Sequence, residues 1–329
     1  VRTYCVEPRA AWLERIIDSG VVLGNPNLSG LWNERYLVEV SAAEAETLHT
    51  YAEMLYHEMA RCSDYAIESR HLCDFDLTME DKRIISRSWE TSDYSPTLFT
   101  RIDCVIDNDG RARFTGLESG FAAGLLEAAT AQWSWLQESA PWSSQFNTIS
   151  ERLTESWREY QLIGRMIHIA YDARDRRETN IAEYVWESAV SAGVCAVATP
   201  LDALRIDDTT GSLVDENGYC VDVLIASRDR GQIGTCDLWK NTSAGGVCLV
   251  EPHWKRLWLM PQWLPYFERF VRVSEAANRV ARVAWNAPNK LICSLWIVAG
   301  TVSGLGFSHI VRNGHQHVRE FIPHILLTE

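Results

Sequence analysis

A turn sequence, Asp107-Asn-Asp-Gly110, separates two runs in which apolar and polar residues alternate, Phe99-Thr-Arg-Ile-Asp103 and Arg113-Phe-Thr-Gly-Leu-Glu118. Gly and Asn tolerate the positive φ that tight hairpins need, so the three pieces together predict a β-hairpin. Side chains two apart on a strand point the same way, which puts Arg101 and Asp103 on one face. Gly116 and Glu118 share a face of the second strand for the same reason. A cation and a carboxylate so placed can address one ligand, such as a metal-bound phosphate or an acyl group. They equally fit a plain ion pair on a half-buried strand, and the residues alone leave both readings open.

Helical and strand patterns surround the hairpin. Ser41 followed by Glu44 is a capping box, and Leu48, Tyr51, Leu55, Met59, Cys62 and Ala66 recur at three- and four-residue spacing, which predicts a long amphipathic helix. Two more helices are expected at Leu126 to Glu138, stopped before Pro141, and at Ile149 to Tyr160, with Leu153 and Trp157 on its buried stripe. Leu162 to Tyr171 alternates as a strand, Thr179 to Ala192 is helical and closed by Gly193, and Val194 to Thr199 reads as a buried strand. That order predicts a small α/β unit. Leu213-Val214, a turn at Asn217-Gly218 and Tyr219 to Ile225 predict a second hairpin.

Short motifs in order along the chain point to a family. They are Pro8-Arg9 and Trp12, Leu31-Trp-Asn-Glu34, Arg101-Ile-Asp103, Leu125-Leu-Glu-Ala128 with Gln132 and Trp135, Thr179 to Tyr184 with Ala192-Gly193, and Glu251-Pro-His-Trp-Lys255. The tail adds Ser294-Leu-Trp296, Gly304-Leu-Gly306 and Phe321-Ile-Pro-His324. Through this ordered set the chain resembles the glutathionylspermidine synthase-like family of ATP-grasp carboxylate–amine ligases. The resemblance implies a mixed α+β and α/β structure, an ATP-grasp-like fold in permuted order. Its two parts would lie at residues 1–160 and 236–329, with a pre-ATP-grasp-like α/β substrate lobe inserted at 161–235.

The family's chemistry is less completely represented than its framework. Where family members hold magnesium with an Asp of the first strand and a Glu and an Asn of the second, this chain has Asp103, Gly116 and Glu118. The resemblance therefore implies a magnesium site on Asp103 and Glu118, with Arg101 stabilising the phosphorylated acyl group. The family's substrate-binding Asp-Thr-Pro is replaced within Ser119-Gly-Phe-Ala122. By position Lys255 is the residue expected beside ATP, since the family's later nucleotide lysine is replaced within Leu259-Met-Pro261, and its Trp-Lys setting equally fits a snorkelling surface lysine. The stretch from Phe267 to Cys293 is shorter than in the family and lacks its Gly-rich phosphate loop. Such loops matter because their backbone N–H groups approach phosphate closely.

Two functions follow as expectations. One is an ATP- and magnesium-dependent ligase that forms an acyl phosphate on a peptide-like carboxylate and transfers the acyl group to an amine or polyamine. The other is a catalytically degenerate relative that keeps the fold as a binding or protein-interaction module, since fold does not guarantee activity. A formal charge of −13 on 329 residues argues against nucleic acid or an anionic membrane as the main partner. An acidic chain with no membrane-length apolar run is expected in the cytoplasm. Nine scattered cysteines without a C-x-x-C pair read as reduced, mostly buried thiols, and fourteen tryptophans read mainly as core. His309, His315 and His317 have the alternation of a zinc site but no cysteine or carboxylate at ligand spacing, so a polar strand or turn is the simpler expectation.

Overall fold

The computed structural model describes residues 1–21, 31–91, 97–106, 112–160, 165–226, 247–272, 291–313 and 316–327. The first elements are β1 (Arg2–Cys5), α1 (Trp12–Asp18), β2 (Leu31–Trp32), β3 (Tyr36–Ser41), α2 (Ala42–Glu68) and α3 (Met79–Glu90). The hairpin strands β4 (Phe99–Ile106) and β5 (Ala112–Ser119) come next, then a π-helical turn at Glu127–Ala131 running into α4 (Gln132–Ser139), and α5 (Ile149–Glu159). A βαβ unit follows as β6 (Met166–Tyr171), α6 (Arg176–Ser191) and β7 (Cys195–Pro200), with β8 (Arg205–Ile206), β9 (Leu213–Val214), β10 (Val223–Ala226) and β11 (Cys248–Val250) after it. The chain closes with α7 (Arg256–Leu259), α8 (Trp263–Arg272), β12 (Leu291–Val298), β13 (Thr301–Asn313), β14 (Gln316–Ile322) and β15 (His324–Leu327).

Four sheets result. The largest has the order β2-β14-β13-β12-β4-β5, so strands from both ends of the described chain share it. A parallel sheet of order β11-β10-β6-β7 is built from the segment between them, and two small sheets, β1-β3-β15 and β8-β9, complete the set. The structure is thus a mixed α/β arrangement. The expected boundaries at 160/161 and 235/236 fall on 161–164 and 227–246, outside the described residues, as does the turn at 107–110. β11, although beyond residue 235, pairs with β10.

Sequence pattern explains the layers. On one face of the six-stranded sheet, Ile102, Cys104, Cys293, Leu295, Leu305 and Phe307 are buried in one core with Leu48, Leu55 and Met59 of α2 and Phe267 of α8. α2 is held at its start by the capping box: the Ser41 hydroxyl accepts from Glu44 N–H while the Glu44 carboxylate accepts from Ser41 N–H. Such caps contribute about 1 kcal/mol. On the opposite face, Phe99, Trp296, Val298 and Phe321 join the core of α4, α5, α6 and the parallel sheet. Gly304 makes that approach possible, whereas Gly306 lies at ordinary contact distance. A Cβ on Gly304 would meet Ile149 Cδ1 at 2.8 Å, and one on Gly306 would touch Ala128 Cβ at 3.7 Å.

The strand-helix-strand expectation matches β6-α6-β7, closed by Gly193 at φ +84°. The second hairpin is only partly realised. Val214 bridges Cys220, but β9 pairs with β8 and β10 instead joins the parallel sheet beside β6. Buried Val223, Leu224 and Ile225 need partners on both faces, which a two-stranded hairpin lacks. The early motifs serve the framework: Arg9 Nη2 donates to Glu34 Oε1 at 2.6 Å and Trp32 Nε1 donates to the same oxygen at 3.0 Å. Among the described residues, no helix is long and apolar enough to cross a membrane.

Candidate functional site

The hairpin brings Arg101, Asp103 and Glu118 together, as period-two spacing requires. β4 and β5 pair with Arg101 opposite Glu118 and Asp103 opposite Gly116. Arg101 Nε donates to Asp103 Oδ1 at 3.0 Å and Nη2 to Oδ2 at 2.8 Å. Its other edge meets Glu118 in a two-pronged pair, Nη2 to Oε1 at 2.9 Å and Nη1 to Oε2 at 3.2 Å. Nη1 also donates to the carbonyl of Ala123, which ties the loop after β5 to the cluster. Arg101 and Asp103 are each 2% exposed, whereas the Glu118 side chain is 45% exposed. The cluster therefore reaches solvent at Glu118.

Two further residues join it from distant strands. Ser294 of β12 lies directly opposite Asp103 in register and donates its hydroxyl to Oδ1 at 2.8 Å. Arg319 of β14 donates from Nη1 to Asp103 Oδ2 at 3.0 Å and from Nη2 to Oδ1 at 2.9 Å. Its side chain crosses from β14 over Ser308, Gly306 and Ser294, and its Nε donates to the Ser308 hydroxyl at 2.7 Å on the way. Burial alone would raise the Asp103 carboxyl, but the two guanidiniums hold it well below the usual carboxylate range. The guanidinium carbons lie 5.9 Å from the Trp296 ring centre for Arg101 and 4.9 Å from that of Phe321 for Arg319. This adds a modest cation–π contribution.

Glu127 lies within electrostatic reach of the same cations. It opens the π-helical turn and is buried, and burial pushes its carboxyl up to about 7 against the pull of Arg177, Arg101 and Arg319. The turn is braced by Asn147, whose side-chain amide donates to the carbonyls of Ala128 and Ala129 at 2.9 and 3.3 Å. π-helical turns inside helices recur at functional sites, and Ala128 of this one faces Gly306 on the sheet.

Lys255 is placed apart from this cluster, at the start of β4. It is 1% exposed, and its ammonium donates to Glu251 Oε2 at 2.5 Å and to the Phe99 carbonyl at 3.1 Å. The other Glu251 oxygen accepts from Leu98 N–H at 2.9 Å and Phe99 N–H at 2.6 Å. Glu251 adopts φ +70°, a left-handed backbone that this network holds in place. A nucleotide phosphate reaches Lys255 only if the pair opens.

The residues around Asp103 do not fit a resident magnesium ion. Magnesium takes oxygens at 2.0 to 2.1 Å in octahedral geometry and keeps several waters, whereas both Asp103 oxygens already accept from Arg101 and Arg319 in a buried site. Among the described residues, no group of three or more His, Cys, Asp or Glu stands close enough to hold a metal. His315 lies outside the described residues, and so does the His317 side chain. Sequence reasoning did not find Arg319, Ser294 or the Glu251 partner of Lys255. The available signal was the run of small residues Gly304-Leu-Gly306-Phe-Ser308, which leaves room above the sheet for a long side chain.

Comparison with known proteins gives the following. A family model described as glutathionylspermidine synthase preATP-grasp matches residues 3–269. A Haemophilus influenzae protein named as an inferred acid–amine ligase is 24% identical over 237 residues, which cover 70% of this chain. The chain spans 59% of that relative's length. A crystal structure described as an inferred gamma-glutamylcysteine synthetase of Methylobacillus flagellatus aligns over 84% of this chain and 85% of its own, at 7% identity and a TM-score of 0.35, too remote to define a shared fold.

Proposed function

The chain belongs to the glutathionylspermidine synthase preATP-grasp family, and from that premise we propose that it is an acid–amine ligase joining a carboxylate to an amine as an amide. ATP supplies the phosphoryl group that turns the carboxylate into an acyl phosphate. The amine adds to the acyl carbon, phosphate departs with the bonding pair of the C–O bond, and the amine releases a proton. A peptide-like carboxylate and an amine or polyamine are the substrate classes. In this reading the six-stranded sheet is the ATP-grasp-like part, and the parallel sheet is an inserted substrate lobe. The support is that strands from both ends of the described chain meet in the larger sheet.

One observation carries the reading. The Nη1/Nη2 edge of Arg101 is held by a carboxylate, Glu118, whose side chain is 45% exposed. A substrate carboxylate or acyl phosphate presents the same pair of acceptor oxygens, and guanidinium matches them two-pronged. Glu118 is exchangeable because its half-exposed carboxylate can turn to solvent while the incoming oxygens take over the guanidinium N–H groups, so the buried Arg101 is never left unpaired. Arg101 then stabilises the negative charge of the acyl phosphate from a buried position, where such charge is poorly screened by water. Lys255 acts on a nucleotide in this scheme only after leaving Glu251.

A second reading, a non-catalytic binding module, is favoured by the closure of Asp103 with Arg101 and Arg319 and of Lys255 with Glu251. The test is incubation with magnesium ATP, glutathione and spermidine, followed by mass spectrometry for the amide and by measurement of ADP. Calorimetric titration with a non-hydrolysable ATP analogue runs beside it. Amide formation that is lost in Arg101→Gln is the expected result. A folded protein that neither binds the analogue nor releases ADP would overturn the ligase and leave the module.

A further inference from the structure

The face of the six-stranded sheet that carries the hairpin cluster holds more positive charge than the hairpin alone provides. Asp103 stands opposite Ser294 on β12, Ser294 opposite Gly306 on β13, and Ile310 of β13 opposite Arg319 on β14. Directly opposed residues share a face, so Arg319 and Asp103 look the same way although two strands lie between theirs. With Ser308, Gly306 and Ser294 as its floor, the Arg319 side chain lies across the sheet and ends on both Asp103 oxygens.

The carboxylate is filled as a result. Oδ1 accepts from Arg101 Nε at 3.0 Å, Arg319 Nη2 at 2.9 Å and Ser294 Oγ at 2.8 Å. Oδ2 accepts from Arg101 Nη2 at 2.8 Å, Arg101 Nε at 3.2 Å and Arg319 Nη1 at 3.0 Å. Two fixed positive charges on one buried carboxylate supply the neutralisation that a divalent cation would bring. A cation entering between them would meet both at close range with few waters to screen it. Mg²⁺ gives up its hydration shell reluctantly, and a carboxylate 2% exposed offers no room for that shell.

We infer that Arg319 is a built-in cation standing where a divalent ion would otherwise be needed, so that Asp103 is not a metal ligand in the resting protein. Magnesium used by this chain then enters with the phosphates of a nucleotide. Arg319 is a positioning residue: it fixes Asp103, and Asp103 in turn fixes the Nε edge of Arg101. The Nη edge is left to face the Ala123 carbonyl and Glu118, and it is Glu118 that reaches solvent. This holds whether or not the chain is a ligase, because it concerns the charge state of the cluster without substrate.

The test needs neither ATP nor an activity. Binding of Mn²⁺, a paramagnetic stand-in for Mg²⁺, is followed by electron paramagnetic resonance on the whole chain, as wild type, Arg319→Gln, Arg319→Lys and the double variant Arg319→Gln/Asp103→Asn. The expected result is no saturable Mn²⁺ site in the wild type or Arg319→Lys at millimolar metal. One site should appear in Arg319→Gln and vanish in the double variant. A wild-type protein that binds one Mn²⁺ and loses it in Asp103→Asn would overturn the inference. So would a folded Arg319→Gln that binds none, since Arg319 would then not be what excludes the metal. If Arg319→Gln does not fold, Arg319→Lys and the wild type decide: both metal-free supports the inference, and a Mn²⁺ site in either refutes it. Failure of the ligase reading would leave all these outcomes unchanged.

Discussion

Glu127 offers the sharpest test of the buried charge arrangement. Its carboxyl is raised from an ordinary 4.5 to about 7, chiefly by burial, and the charged groups facing it are Arg177 on α6, Arg101 on β4 and Arg319 on β14. Arginine keeps its charge in proteins, so Glu127 is the member of this group that titrates near neutrality. The folded protein keeps the Glu127 proton to a higher pH than the unfolded chain does. Below about pH 4.5 both states hold it and nothing is lost. Between about 4.5 and 7 the unfolded chain releases it first, and stability falls as pH rises. At 1.36 kcal/mol per pH unit, the interval amounts to about 3 kcal/mol, fully expressed above pH 7. Glutamine mimics the protonated acid, so Glu127→Gln is expected to be more stable than the wild type by up to about 3 kcal/mol at pH 8. Near pH 5 the gap should shrink to about 0.7 kcal/mol. Urea unfolding of both proteins at the two pH values, analysed by linear extrapolation, measures this directly. A stability gap that is the same at both pH values, or a variant weaker at pH 8, would show that Glu127 is charged and stabilised by the arginines, and the burial argument would fail.

Two further perturbations probe the framework. Lys255→Met leaves the Glu251 carboxylate buried without its ammonium partner, and it should cost about 3 to 5 kcal/mol in urea unfolding. Adding Glu251→Gln should restore part of that loss, since a neutral amide oxygen can still accept from Leu98 and Phe99, and an additive double variant would contradict the coupling. Gly124→Ala should lower stability by about 2 to 4 kcal/mol, because Gly124 sits at φ +88° and a Cβ there would lie 2.3 Å from Phe321 Cζ. A thermal melt of Gly124→Ala unchanged from wild type would mean that the loop after β5 is not seated against Phe321.

Much of this protein follows from local pattern. Ser41 and Glu44 with apolar residues three and four apart dictate α2, because capping and helical period act within a few residues. The alternation through Arg101 and Asp103 dictates that they share a face with one another, and the structure adds Glu118 directly across the hairpin. What such patterns cannot carry is which distant strand lies alongside. Arg319 is 216 residues from Asp103, and it arrives only because β14, β13, β12 and β4 pair in one particular register over a floor of small residues. A slip of one residue would turn it to the opposite face. Lys255 and Glu251, four apart, resemble an ordinary surface pair in the sequence. Only the packing of Trp254 and the start of β4 around them makes the pair a buried latch. The sequence by itself determined the elements and the face on which the hairpin charges sit. The tertiary structure decided which charges are neutralised and which remain open to a ligand, because burial and partner identity depend on contacts between residues that no local period relates.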